Sequence, residues 1–143
     1  PEVAREYLEG KDSYTKSDLR IIAEQQLSLQ EREMAKQESF VFFDTSFEVI
    51  KIWSEYRFGS CDPWISDQFY KSEIDLYLLC SPDIPWESDP QRENPHDRIE
   101  LFNSYQKLLT AAQKNFIIVE SLGNKRLTQA VTGIRKYLAS QKM

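Results

Sequence analysis

The sequence predicts an α/β domain with a parallel sheet. Three short runs rich in β-branched and aromatic residues, at 39–45, 75–81 and 115–121, are typical of strands buried on both faces. Helical segments separate these runs, and this alternation favours parallel strands joined by right-handed crossovers. The length of 143 residues and the hydrophobic content of 41% suit one domain with a substantial core. We therefore expect a single domain over 1–143.

Caps and periodicity place the helices of the N-terminal half. Residues 15–37 are predicted to be helical, with Thr15 or Ser17 as the N-cap. One face of this helix carries Leu19, Ile22, Ala23, Gln26, Leu27 and Gln30. A second helix is expected at 47–58, closed by Gly59 in the C′ position.

The C-terminal half continues the same alternation of strands and helices. A short helix is predicted at 64–73 and another at about 96–113, after a proline-rich loop over 82–95. Gly123 opens the last turn before a final helix. The apolar stripe of that helix comprises Leu127, Ala130, Val131, Ile134 and Leu138.

Composition excludes several function classes. The net charge of −5, from 18 basic and 23 acidic side chains, argues against non-specific nucleic-acid binding. No apolar run approaches the ~20 residues that span a bilayer. Cys61 and Cys80 lack a CxxC spacing and His96 is the only histidine, so a Cys/His zinc site is not expected. These features predict a cytoplasmic protein without membrane or nucleic-acid partners.

Asp44 ends the first predicted strand, and this position is informative. Ligands of open α/β sheets bind at the carboxyl ends of the strands. In P-loop phosphotransfer enzymes an Asp in this place holds Mg²⁺ or polarises the attacking hydroxyl. The alternative is structural, because either Asp44 or Ser46 can cap the helix that follows.

Several motifs along the chain resemble one family. They are P-E-V-A-R-E-Y-L at 1–8, F-F-D-T-S at 42–46, K-I-W-S-E at 51–55 with Phe58-Gly59, D-L-Y-L-L at 75–79, D-I-P-W at 83–86, D-P-Q-R at 89–92, and Asp97-Arg98. In this order they resemble nicotinamide-riboside kinase domains of the NadR type, over residues 1 to about 138. D-I-P-W after D-L-Y-L-L, followed by the arginine pair, is the most specific part of the resemblance.

The resemblance implies a P-loop kinase-like fold, a doubly wound parallel sheet with helices on both faces. It implies ATP and Mg²⁺ as cofactors and phosphotransfer to the 5′-hydroxyl of nicotinamide riboside or a similar nucleoside. The first strand and the G-x-x-x-x-G-K-[ST] loop are absent from these residues, which alone would be inactive. We expect that loop upstream of Pro1. Ser46 and Pro90 also depart from the family pattern, which has an Asp and a lid glycine at these positions.

The resemblance also implies the catalytic residues. Asp44 would orient or deprotonate the hydroxyl, or bind the metal. Arg92 and Arg98 would clamp phosphate oxygens from a lid, since a planar guanidinium suits phosphate. The alternative for the two arginines is a set of surface ion pairs with neighbouring carboxylates, which contribute little to stability.

Four further residues are implied to bind the substrate. Glu2 and Asp83 would accept hydrogen bonds from ribose hydroxyls, Arg5 would help to hold the substrate, and the Trp86 ring would stack on the base. Each has a structural alternative. Glu2 and Arg5 have helical spacing for a surface ion pair, Asp83 suits an Asx turn, and Trp86 can pack on the core.

A second hypothesis belongs to a different functional class. A nucleotide-binding fold can lose transfer activity and serve as a regulatory or partner-binding module, because fold does not fix function. The sequence leaves this alternative open, together with the identity of the nucleoside and the formation of a homo-oligomer.

Overall fold

The computed structural model describes residues 2–85, 87 and 96–141. The chain forms two compact units, Pro1–Ser72 and Glu73–Met143. The expectation of a single domain over 1–143 stays a prediction. Among the described residues, no helix is both long and apolar enough to cross a membrane.

The first unit is helical. Its helices are α1 (Glu2–Leu8), α2 (Lys16–Met34), α3 (Phe47–Phe58) and α4 (Pro63–Lys71). Helices that follow one another along the chain pack together. The core side chains are Leu19, Ile22, Ala23, Phe47, Ile50, Ile52, Ile65 and Phe69.

Local signals fix the ends of these helices, and the Thr15 cap and the Gly59 terminus are as predicted, whereas α2 ends at Met34 rather than at residue 37. The Thr15 hydroxyl accepts a hydrogen bond from the backbone N–H of Asp18, and the Asp18 carboxylate accepts one from the Thr15 N–H, so a complete capping box starts α2. Gly59 ends α3 with a φ of 70°, the left-handed conformation that glycine adopts at little cost. Asp62 caps α4, whose first residue is proline.

The predicted strand over 39–45 is wrong. This segment lies between α2 and α3 without regular secondary structure. Phe40 and Phe42 are 60% and 73% exposed, whereas a buried strand would cover them. The physical reason is the missing partner: a strand needs a neighbour for its backbone hydrogen bonds, and the two strands described in this chain pair with each other.

The second unit is an α/β arrangement with two strands. Its elements are β1 (Tyr77–Cys80), α5 (Arg98–Ala111), β2 (Phe116–Val119) and α6 (Gly123–Ser140). The strands are parallel, as predicted, and their register runs from Tyr77 opposite Phe116 to Cys80 opposite Val119. Helix α5 connects them and packs on β1, while α6 packs on β2.

The sheet is smaller than the resemblance implies. The described residues form one two-stranded parallel sheet, so the mixed α/β class is confirmed but a doubly wound sheet is not observed in them. The strands predicted at 75–81 and 115–121 are confirmed in place, and each has four residues.

Candidate functional site

The segment that carries Asp44 bends sharply before α3. Thr45 has a φ of 72°, in the left-handed region. That conformation is a genuine outlier for a β-branched residue, because its Cβ crowds the following backbone. Such strain persists only where surrounding contacts fix the backbone, and it concentrates at functional sites.

Two glutamines of α2 form hydrogen bonds to this bend. Gln26 donates from Nε2 to the carbonyl oxygen of Thr45 at 2.7 Å, and Gln30 donates from Nε2 to the Ser46 hydroxyl at 2.9 Å. The two lie four residues apart and therefore on one face of the helix. Gln26 and Ser46 are both buried. Breaking a buried hydrogen bond is unfavourable, because it leaves a donor or acceptor without a partner and away from water.

Glu48, in the first turn of α3, also forms a hydrogen bond to the bend. Its Oε1 accepts a hydrogen bond from the backbone N–H of Ser46 at 3.0 Å. The residue is only 9% exposed, and Oε2 is buried without a hydrogen-bond partner among the described residues. Burial raises the pKa of Glu48 to about 7, against the lowering effect of the backbone hydrogen bonds that it accepts.

These contacts leave Asp44 itself outside the cluster. Its side chain is exposed, and no hydrogen bond or ion pair to it is found within the described residues. Ser46 occupies the N-cap position of α3, but no side chain caps the helix. The capping alternative for Asp44 and Ser46 is therefore wrong, and the bend presents the Asp44 carboxylate to solvent.

The acidic groups limit how a metal ion can be held. Within the ranges that the structure describes, no cluster of three or more His, Cys, Asp or Glu side chains could bind a metal. A Mg²⁺ ion held by Asp44 would therefore have fewer than three carboxylate ligands from the described residues. Mg²⁺ in phosphotransfer sites takes one or two carboxylates and completes its octahedron with substrate phosphates and water.

In the second unit Asp83 lies just after β1 and forms an ion pair with Arg126. Arg126 Nη1 lies 2.6 Å from Asp83 Oδ1, and Asp83 Oδ2 accepts a hydrogen bond from the Ser121 N–H, also at 2.6 Å. Arg126 donates in addition to the carbonyl oxygens of Ser81 and Ser121. The Arg126 hydrogen bond lowers the pKa of Asp83. This cluster, the Asp83–Arg126 clasp, joins the carboxyl ends of β1 and β2.

Arg98 begins α5 and also contacts the loop after β1. Its Nη2 donates to the carbonyl oxygen of Ile84 at 2.6 Å. Arg98 thus supports the loop residue next to Asp83, and Arg126 supports the same loop from α6. Both arginines lie at the carboxyl end of the two strands, where parallel sheets bind ligands.

The remaining predicted residues divide into two groups. Glu2 and Arg5 form an exposed ion pair on α1, with 3.8 Å between Oε1 and Nε, as the surface alternative predicts. Trp86 and Arg92 lie outside the described residues, and so does Pro90.

A cleft of about 570 Å³ in the first unit lies elsewhere. Its lining includes Lys16, Arg20, Cys61 and Asp62, and none of the predicted site residues. Arg20 already stacks over the Trp64 ring at 4.0 Å and pairs with Asp62. We therefore assign no role in the site to this cleft.

Four residues that contact the candidate site residues or their neighbours were not predicted from the sequence: Gln26, Gln30, Glu48 and Arg126. A signal was present for the two glutamines, because they lie on the apolar face of α2 and a polar residue on a buried face is informative. Arg126 follows a parallel strand, where functional groups gather. Only the fold shows that Glu48 turns inward.

Comparison with known proteins identifies one family. The family model described as an AAA domain matches residues 1–126. Neither a curated protein nor a solved structure matches the chain significantly.

Proposed function

The chain belongs to the AAA domain family, and from this premise we propose that it is part of an enzyme that phosphorylates a nucleoside with ATP. This family is P-loop NTPase-like, and its members generally bind nucleotide with Mg²⁺. The resemblance to nicotinamide-riboside kinase domains supports the narrower assignment, with nicotinamide riboside or a similar nucleoside as the acceptor.

The observation that carries the proposal is the Asp44 carboxylate on its strained bend. A carboxylate that caps no helix and is exposed next to a bend fixed by buried hydrogen bonds is available for chemistry. In the proposed reaction the 5′-hydroxyl oxygen attacks the γ-phosphorus of ATP, the bond to the β–γ bridging oxygen breaks, and ADP leaves. Asp44 orients the hydroxyl and accepts its proton. Mg²⁺ would neutralise charge on the phosphates.

The second unit contains a candidate binding site for the nucleoside, which is the phosphate acceptor. The loop after β1 contains Asp83, and Arg98 and Arg126 contact this loop at the carboxyl ends of the strands, where parallel sheets often bind ligands. We propose that this end of the sheet binds the nucleoside. Arg98 then acts by shaping the loop, in addition to the lid role that the resemblance implies.

The test is the Asp44→Asn substitution in the full-length protein. We expect the fold to be retained and phosphotransfer to fall by at least about a hundredfold, because an amide supplies neither the charge nor the proton acceptor. Phosphotransfer is measured with Mg-ATP and a panel of nucleosides that includes nicotinamide riboside. Asp12→Asn is the matched control, since Asp12 is also an exposed aspartate of the first unit.

The outcomes separate the two functional classes. Transfer to a nucleoside that Asp44→Asn abolishes and Asp12→Asn leaves intact supports the kinase. A full-length protein that binds Mg-ATP but phosphorylates no nucleoside would favour the non-catalytic module. Unchanged turnover in Asp44→Asn would remove Asp44 from the site.

A further inference from the structure

The Asp44 bend is fixed by more contacts than a surface turn requires. Three backbone and side-chain groups of Thr45 and Ser46 are each bound by a different side chain. Gln26 binds the Thr45 carbonyl, Gln30 binds the Ser46 hydroxyl, and Glu48 binds the Ser46 N–H. A short exposed loop would normally satisfy such groups with water.

The Thr45 conformation explains what these contacts achieve. With a φ of 72°, Thr45 would relax to an ordinary conformation if nothing opposed it. A rotation at Thr45 would turn the preceding peptide and swing the carboxylate of Asp44. The hydrogen bond from Gln26 to the Thr45 carbonyl and the bond from the Ser46 N–H to Glu48 fix the peptide that follows Thr45. The bond from Gln30 fixes the Ser46 side chain, so on the α3 side the bend can relax only if these bonds break.

We propose that Gln26 and Gln30 are positioning residues, which hold the strained bend so that the Asp44 carboxylate keeps its working direction. This inference rests on the proposed function of Asp44 and adds two residues that touch neither substrate nor metal. Gln26 carries the larger share, because it is only 8% exposed and binds the strained residue itself.

The experiment uses the full-length protein with Gln26→Leu, which removes the donor and keeps a similar volume. The neighbouring Gln25 is exposed, so Gln25→Leu is the matched control. We expect Gln26→Leu to lower kcat by about 10- to 100-fold, the scale of a small misplacement of a catalytic group, with little change in the KM for the nucleoside. Gln25→Leu should behave as wild type.

A rescue distinguishes positioning from general damage. Thr45→Gly permits a positive φ without steric cost. Added to Gln26→Leu, it should restore part of kcat, because the bend no longer needs to be held against strain. If Gln26→Leu does not fold, the half-buried Gln30 provides a milder variant, Gln30→Met, with the same rescue.

A second readout does not depend on catalysis. The ¹³C chemical shifts of the Thr45 Cα and Cβ report its backbone conformation, and Gln26→Leu should move them away from the values of a positive φ. Unchanged shifts would overturn the inference even in an active kinase, and so would changed shifts with wild-type kcat. If no variant transfers phosphate, the proposed function fails, and the shifts still decide whether Gln26 holds the bend.

Discussion

At the scale of single residues, Thr45 is the position where local preference and tertiary structure disagree. A β-branched residue avoids a positive φ, yet polar side chains from two helices keep Thr45 there. No local sequence pattern predicts this conformation, because it depends on contacts such as the Gln26–Thr45 hydrogen bond, between residues 19 positions apart. The sequence singled out Asp44 as a candidate, but it did not predict the contacts that fix Thr45 and Ser46 beside it.

Glu48 should make stability depend on pH near neutrality. Its pKa in the folded protein is about 7, compared with 4.5 for an ordinary glutamate. Between these values the folded state binds more protons than the unfolded state, so the free energy of unfolding should fall as pH rises from about 4.5 to 7. The total loss from this group is about 3 kcal/mol.

The Glu48→Gln variant checks this pH dependence. The amide mimics the neutral carboxyl and keeps an acceptor for the Ser46 N–H, so urea unfolding of the variant should lose less stability over this pH range. Glu31→Gln, on an exposed face of α2, should keep the wild-type slope. Equal slopes in all three proteins would mean that Glu48 ionises normally.

At the scale of elements, a helix and a strand differ in what they need from the rest of the chain. The predicted helices formed because caps and periodicity act locally, as the capping box of α2 illustrates. The run at 39–45 has the composition of a strand, but its hydrogen bonds need a partner that the described residues do not supply. The runs at 75–81 and 115–121 became strands because each provides the other's partner.

The packing of α6 on β2 depends on Gly133. A Cβ at this position would lie 2.1 Å from Ile117 Cδ1, far inside van der Waals contact. Gly133→Ala should therefore lower the free energy of unfolding by about 1 kcal/mol, because overpacking outweighs the helix propensity gained by alanine. Urea denaturation measures this change.

Removing the clashing methyl group should reverse the sign of that effect. Ile117→Val deletes Cδ1 and costs about 1 kcal/mol by itself. In this background Gly133→Ala should raise the stability by about 0.5–1 kcal/mol, the helix propensity difference alone. A loss of stability in both backgrounds would show that the backbone of α6, rather than the Ile117 side chain, sets the limit.

At the scale of the whole molecule, the two units differ in how much of them the sequence could predict. In the first unit the helices were predictable, but the residues that surround Asp44 were not, because the Gln26 and Glu48 contacts need the packing of two helices. In the second unit the strand order followed from the alternation of elements. The partner of Asp83 did not, because the Asp83–Arg126 clasp joins residues 43 positions apart.

That sequence separation has a consequence for the order of folding. In the first unit each helix packs on its neighbour along the chain, so little loop entropy is lost before contacts form. The second unit must close the chain across α5 before β1 can meet β2, which is intrinsically slower. In pulsed hydrogen exchange during refolding, amides of α2 and α3 should be protected before those of β1 and β2. Simultaneous protection would mean that the two units fold cooperatively, so that a destabilising substitution in either unit would lower the stability of both.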